Sequence, residues 1–209
     1  MSSTSSHHKK EPRKDPEWFH RGYYKYWMDI QTRWMDNDMY GHVNNVVYYS
    51  YFDTIVNHYL VHHCGLALPG TEAERKSSSE GRKGLMGVVA ESGCVFRSSV
   101  EYPDIIQAGL SVSKLGSSSV TYRIGIFRKP QQYTPTTRTA PSPTPVWPHE
   151  QTAEIPGFGD TVEAASAAGH FVHVFVDPVT RRPGKMEDRM RRGLERLVVV
   201  HETDSQHKL

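Results

Sequence analysis

Long apolar runs are missing from this sequence, and so are closely spaced cysteines and any strong excess of one charge. No apolar stretch approaches the roughly 20 residues that a transmembrane helix needs. The two cysteines, Cys64 and Cys94, have no C-x-x-C spacing, which argues against a disulfide framework and favours a reducing compartment. The formal net charge of +2 is too small to indicate nucleic-acid binding.

The N-terminal segment 1–17 also lacks the apolar core of a signal peptide. Glu11, Asp15 and Glu17 interrupt its basic residues, which is unlike a mitochondrial presequence. We therefore expect a disordered tail and a cytoplasmic protein, with a mitochondrial location not excluded.

Hydrophobic residues make up only 37% of the chain, because two segments contribute little to a core. One is the tail, and the other, at about 130–168, holds seven prolines among Thr, Ser and Gln residues. We predict one folded domain over 18–200 that contains this disordered insertion, followed by a C-terminal tail at 201–209.

Apolar residues predict a long helix after residue 44. From Tyr48 they recur at i+3, i+4, i+7 and i+11, which forms one continuous helical stripe. Asn44 or Asn45 is suited to cap the N-terminus of this helix, and Gly65 is suited to end it.

Strands are predicted on both sides of the helix, and a basic terminal helix is predicted at 186–199. In the first strand, Tyr24, Tyr26, Met28 and Ile30 share one face because they alternate with polar residues. One helix against an antiparallel sheet is an α+β arrangement, and its uncovered edge or face predicts self-association. The predicted strands cover residues 24–33, 86–98, 106–115, 119–128 and 170–176.

The loop before the long helix concentrates residues that are suited to acyl-group chemistry. Asp36, Asp38, Gly41, His42 and Asn44 all lie directly N-terminal to the helix. The helix N-terminus presents unpaired N–H groups that suit an oxyanion, and a carboxylate beside them would attack a carbonyl or activate water. On chemistry alone, a capped and turn-rich helix entrance accounts for the same residues equally well.

A resemblance to a known family is carried by the run Thr32-Arg33-Trp34-x-Asp36-x-Asp38-x-x-Gly41-His42-Val43-Asn44-Asn45-x-x-Tyr48-x-x-Tyr51-Phe52-Asp53. It resembles the signature of the 4-hydroxybenzoyl-CoA thioesterase branch of the hotdog superfamily. Residues 171–177 and 180–183 are similar to the last strand and tail of that family. The resemblance spans about 23–199 without the insertion, and it implies a hotdog fold, in which a curved antiparallel sheet wraps a long central helix.

The same resemblance implies hydrolysis of acyl-CoA thioesters, without a cofactor, by a homodimer or homotetramer. Asp38 would be the general base or nucleophile. The backbone around Gly41 and Val43 would bind the oxyanion, and His42 and Asn44 would hold the acyl group or the water.

Four further residues receive roles with less support from the motif. Asp36 is expected to be a structural carboxylate paired with Arg33. Tyr48 is a candidate for substrate binding, although its place on the buried stripe favours a core role. Arg181 and Arg182 are candidates for binding the phosphates of CoA.

Alternative functions and sites stay open at this point. An acyl-carrier-protein thioester is a second substrate, and a non-catalytic acyl-CoA-binding or oligomerising hotdog module is a second function. A hotdog dehydratase is disfavoured, because a second His-bearing motif is missing. Glu91 either faces a partner's pocket or is solvent-facing or ion-paired. The histidines at 58, 62 and 63 have no third ligand at usable spacing, so no metal site is predicted.

Overall fold

The computed structural model describes residues 15–67, 84–129 and 164–199. Most of the predicted N-terminal tail, residues 130–163 of the predicted insertion and the predicted C-terminal tail lie outside these ranges. The described segments form one five-stranded antiparallel sheet and two helices. Neither of these helices combines the length and the apolarity that a membrane crossing needs.

The sheet has the strand order β1-β3-β4-β5-β2, so β1 and β2 form its two edges. The long helix α1 follows β1 in the chain, and the predicted α+β arrangement is confirmed. The elements are β1 (Tyr26–Gln31), α1 (Asn45–Cys64), β2 (Met86–Phe96), β3 (Ile105–Leu115), β4 (Ser119–Arg128), β5 (Ala167–Val176) and α2 (Asp188–Glu195).

Helix α1 begins and ends at the residues that the sequence indicates. The Asn44 side chain accepts a hydrogen bond from the Val46 amide, and Gly65 ends the helix with a φ of 76° in the left-handed region. The predicted stripe is buried against the inner face of the sheet, where it forms the main core. Its members are Tyr48, Tyr51, Phe52, Ile55 and Tyr59.

The outer face of the sheet carries a second, smaller core. Phe19, Tyr23 and Tyr24 from the segment before β1 pack against Phe127 of β4. The prediction that Tyr24 faces inwards with the β1 residues is therefore wrong. Two 3₁₀ turns precede β1, the strand begins only at Tyr26, and the Tyr24 ring lies across the outer face beside Phe127.

Two boundaries near the C-terminus also differ from the prediction. Strand β5 begins at Ala167 rather than residue 170, since its small residues fit close to the neighbouring elements. A Cβ on Gly169 would lie 2.6 Å from the Phe52 ring. Helix α2 covers only Asp188–Glu195, because the chain after it turns to hydrogen-bond with Val112 of β3.

His173 of β5 is a buried titratable side chain, with only 3% of its surface exposed. Its ring packs edge-on against Tyr122, and its Nδ1 has no hydrogen-bond partner among the described residues. Burial lowers the pKa of His173, and the charge of Asp53 acts in the opposite direction. The folded protein therefore favours the neutral imidazole.

We expect this histidine to reduce stability in mild acid. Because the folded pKa is lowered, the unfolded chain binds more protons below the ordinary histidine pKa of about 6.5, and the free energy of unfolding falls there. Urea unfolding at several pH values between about 5.5 and 7.5 tests this. His173→Phe should show a smaller decline than the wild type, whereas His62→Gln, on the exposed part of α1, should keep it. Equal declines in His173→Phe and the wild type would contradict the assignment.

Candidate active site

The loop that carries Asp38 is closed on itself by main-chain hydrogen bonds. The Asp38 amide donates to the His42 carbonyl oxygen (2.8 Å), and the Gly41 amide donates to the Asp38 carbonyl oxygen (3.1 Å). Gly41 has a φ of 80°, so a residue with a side chain would be strained in this tight loop. The loop therefore holds the Asp38 carboxylate, which is partly exposed, at the entrance to α1.

The Asp38 carboxylate uses only one oxygen for contacts within the described chain. Its Oδ1 accepts a hydrogen bond from the Tyr40 amide at 2.8 Å and a long one from the His42 amide at 3.5 Å. No hydrogen bond reaches Oδ2 from any described residue. One oxygen is thus oriented by the backbone, and the second remains open to a substrate or a water molecule.

Asp36 is anchored far more tightly than Asp38. Its carboxylate, 1% exposed, accepts hydrogen bonds from the Arg33 amide (2.7 Å), the Arg33 guanidinium (3.0 Å to Nε) and the Tyr51 hydroxyl (2.8 Å). Burial acts to raise the pKa of Asp36, but the bonds from Arg33 and Tyr51 outweigh it and hold that pKa below its ordinary value. The predicted pairing of Asp36 with Arg33 is present.

The amides near the helix start differ in their availability. The Val43 amide donates to the Val100 carbonyl oxygen (2.8 Å), and the Gly41 amide is taken by Asp38, so neither predicted oxyanion donor is free in this conformation. The amides of Asn44 and Val46 also have acceptors within the chain. Among the first residues of α1, the Asn45 amide has no acceptor among the described residues, which makes it the available donor.

Tyr48 lies in the first turn of α1, and His42 lies in the loop before it. The Tyr48 ring is buried and stacks edge-on with Phe96 of β2 (5.1 Å between ring centroids). Burial raises the pKa of Tyr48 to about 12, and the negative charge of Asp38 makes a small contribution in the same direction. His42 contacts Asp38 through its main chain.

Arg181 and Arg182 lie in the turn after β5. The Asp177 carboxylate accepts the Val179 and Thr180 amides in this turn, and Arg181 takes a φ of 59°, a left-handed conformation that costs about 1 kcal/mol outside glycine. The Arg181 guanidinium reaches the Met86 sulfur, at the start of β2 (4.0 Å). This strained turn presents an exposed cation beside the edge strand.

Within one chain, the two arginines and Asp38 do not come together. Phe96, at the end of β2, contacts Tyr48 beside the Asp38 loop, whereas Arg181 contacts Met86 at the other end of the same strand. An 11-residue strand is about 33 Å long, so the two groups lie at opposite ends of a long edge.

Two other features of the sequence have simple contacts in the structure. Glu91 on β2 is exposed and pairs with His170 of β5 (3.2 Å), in keeping with the ion-paired alternative. The His58 and His62 rings lie 4.3 Å apart on α1, and the Tyr26 hydroxyl hydrogen-bonds His58 Nδ1 (2.8 Å). In the three described ranges, no three His, Cys, Asp or Glu side chains are grouped as metal ligands.

The contacts that other segments of the chain make with the Asp38 loop were not predicted from the sequence. The hydrogen bond from the Tyr51 hydroxyl to Asp36 could not be predicted, because Tyr51 belongs to the apolar stripe and its spacing indicates only a buried ring. The Asn37 side chain accepts the Tyr102 amide (3.1 Å), and Trp34 lies edge-on to the Tyr102 ring. These contacts join segments far apart in the chain, and no local pattern announces them.

Comparisons with known proteins agree with the fold and with a thioesterase family. The family model for the thioesterase superfamily matches residues 40–134, which begin two residues after Asp38. The PA5185 protein of Pseudomonas aeruginosa strain PAO1 is 35% identical; the alignment covers 86% of this chain and 95% of that one, with a TM-score of 0.63. No curated protein matches the sequence.

More distant solved structures show the same fold. The BH1999 gentisyl-coenzyme A thioesterase is 15% identical, with 81% of this chain and 99% of that one covered and a TM-score of 0.51. A thioesterase superfamily protein from Jannaschia sp. CCS1 is also 15% identical, with 84% and 85% covered and a TM-score of 0.56. The chain belongs to the hotdog-type thioesterase superfamily, and this membership supports thioester hydrolysis as its class of activity.

The double assignment of Asn44, as helix cap and as candidate site residue, is testable. Asn44→Ala removes the acceptor for the Val46 amide, and we expect the free energy of unfolding to fall by about 1 kcal/mol. Asn44→Ser preserves a capping oxygen and should remain within a few tenths of a kcal/mol of the wild type. Chemical denaturation measures both. Thioester turnover retained in the serine variant assigns Asn44 to the cap, whereas turnover lost in both variants assigns it to the chemistry.

Proposed function

We propose that the protein hydrolyses acyl-CoA thioesters with Asp38 as the catalytic carboxylate. The observation that carries the proposal is the arrangement at the entrance to α1. There an oriented carboxylate with one open oxygen lies beside a helix N-terminus whose Asn45 amide is available. The resemblance of the surrounding motif to the 4-hydroxybenzoyl-CoA thioesterase branch supports acyl-CoA as the substrate.

In the proposed reaction, the thioester carbonyl oxygen binds the Asn45 amide, and the helix dipole favours its developing negative charge. Asp38 takes a proton from water, the resulting hydroxide attacks the carbonyl carbon, and the carbon–sulfur bond breaks to release the CoA thiolate. In the alternative route, Asp38 attacks directly, and water then hydrolyses the acyl-enzyme anhydride. The thiolate is a good leaving group in both routes.

We further propose that the active form is a dimer in which two copies of β2 pair with each other. Strand β2 is an edge strand of 11 residues, and exposed apolar side chains flank its backbone. Such a long, apolar edge offers unpaired N–H and C=O groups to another strand. A second copy of the same edge satisfies them with two-fold symmetry. The apolar side chains are Met86, Val88, Val89, Val95 and Phe96.

Antiparallel pairing of β2 with itself would also complete the site. In such a pair, the Phe96 end of one strand lies beside the Met86 end of the other. Arg181 of the partner subunit would then lie near Asp38, rather than a full strand length away. CoA phosphates bound by the partner's Arg181 would place the thioester at the α1 entrance, which the arginines of the same chain are too distant to do.

The first test is thiol release from short, medium, long and aromatic acyl-CoAs, with wild type beside Asp38→Asn. We expect turnover by the wild type and at least a roughly hundredfold lower kcat in the variant. Asparagine keeps an oxygen for the Tyr40 amide, so thermal unfolding should show an intact loop. Saturable acyl-CoA binding without wild-type turnover would favour the non-catalytic module, and turnover that survives in Asp38→Asn would move the chemistry to another residue.

A second test asks whether the site is shared between subunits. Arg181→Gly removes the guanidinium and suits the left-handed backbone, so we expect an unchanged fold and a KM for acyl-CoA raised about tenfold. Mixing equal amounts of Asp38→Asn and Arg181→Gly subunits, at substrate below KM, gives half heterodimers. Each heterodimer would contain one intact site, which restores about a quarter of wild-type activity.

The matched control is a mixture of Asp38→Asn with the double variant Asp38→Asn/Arg181→Gly, which contains no intact site in either geometry. Recovery only in the first mixture supports the shared site. Subunit exchange in the first mixture must be verified separately. If subunits exchange but the activity does not exceed the average activity of the two variants, both groups of each site belong to one chain.

A further inference from the structure

We propose that Tyr51 is a positioning residue that acts through the buried Asp36 carboxylate to hold Asp38 against the start of α1. Its catalytic consequence rests on the function proposed above. Its structural consequence, an ordered Asp38 loop, is independent of any activity.

The contact begins in the main core. Tyr51 lies in the second turn of α1, and its ring is buried in the main core beside Tyr48 (6.2 Å between ring centroids). From there its hydroxyl donates to Asp36 Oδ2 at 2.8 Å. The position of the hydroxyl is therefore set by core packing, not by the loop.

On the loop side, Asp36 is held by further bonds to Arg33 and Asn44. Its carboxylate takes the amide and the guanidinium of Arg33, and its carbonyl oxygen accepts the Asn44 amide at 2.9 Å. Asp36 thus joins Arg33, the residue that caps α1 and the second turn of α1. A buried carboxylate with these partners does not move without leaving charge or donors unsatisfied.

Asp38 lies between these fixed points and has few anchors of its own. The bonds of Asp38 and Gly41 close the loop on itself, and Asn37 and Val43 form an isolated bridge across its base. These contacts set the shape of the loop. The Tyr102 amide on Asn37 and the Val43 amide on the Val100 carbonyl hold the base of the loop. Asp36, two residues before Asp38, adds the link from the loop to the Tyr51 hydroxyl on α1. An error of about 1 Å in the placement of a reacting group is enough to slow a reaction roughly a hundredfold.

The chain offers a matched control on the same helix. Tyr59 is also buried, and its hydroxyl also donates to an oxygen of a distant segment, the Gly193 carbonyl (2.8 Å). Tyr51→Phe and Tyr59→Phe each keep the ring and remove one buried hydrogen bond. They differ in that the bond of Tyr59 leads to α2, away from the Asp38 loop.

The experiment compares steady-state kinetics of the two variants and the wild type. Tyr51→Phe should lower kcat about tenfold and leave KM within about twofold, because the misplaced carboxylate affects the chemical step more than binding. Tyr59→Phe should leave both constants within about twofold. Equal kinetic effects in the two variants, or a normal kcat in Tyr51→Phe, would overturn the proposal.

Amide hydrogen exchange supplies the independent measurement. In Tyr51→Phe the amides of Asp38, Tyr40 and His42 should exchange at least about fivefold faster than in Tyr59→Phe at matched global stability. Unchanged exchange in this loop overturns the positioning role, whatever the activity. If the wild type shows no turnover on any thioester, the proposed function fails, and hydrogen exchange alone decides the inference about Tyr51.

Discussion

Helix α1 packs across the inner face of the sheet along one stripe of large side chains, and this contact fixes the position of the helix N-terminus at the candidate site. Phe52 and Ile55 are fully buried, and Gly169 of β5 leaves room for no more than its hydrogen beside the Phe52 ring. Interiors packed this closely allow little adjustment. The N-terminus of α1, and the loop that leads into it, are therefore held in a defined place relative to strand β2.

Short-range patterns were enough to predict the scaffold of this site. The helical stripe from Tyr48, the cap at Asn44 and the stop at Gly65 are local signals, and each matches the structure. The predicted strand at 119–128 matches β4, Ser119–Arg128, in the same way. These elements were predictable because the residues that determine them are neighbours in the chain.

Sequence-based prediction failed where a contact with a residue far away in the chain determines the local structure. Tyr24 continues the alternation of β1, but Phe127 on the outer face of the sheet binds its ring. Residues 197–199 are apolar enough to continue α2, but the backbone of Val112 offers them hydrogen bonds. The Val43 amide suits an oxyanion on paper, but Val100 takes it. In each case a tertiary contact overrides a local preference. The motif around Asp38 identifies the residues of the site, but it does not show which of their atoms already have hydrogen-bond partners.

In the proposed function, the hydrogen-bonding groups that lack partners at the α1 entrance and along β2 connect dimer formation with thioester hydrolysis. Asp36 has its hydrogen-bonding capacity filled within the chain, so its part is complete in the monomer. Among the described residues, one oxygen of Asp38 and the Asn45 amide have no hydrogen-bond partner. Strand β2 is an edge of the sheet, and its Phe96 end contacts Tyr48 in the first turn of α1. Water hydrates such exposed polar groups, but a long edge strand with exposed apolar side chains favours pairing with another chain. In the dimer that we propose, a second chain would cover this edge and a thioester would bind at the helix entrance. The contact that forms the dimer would then also form one boundary of the substrate site.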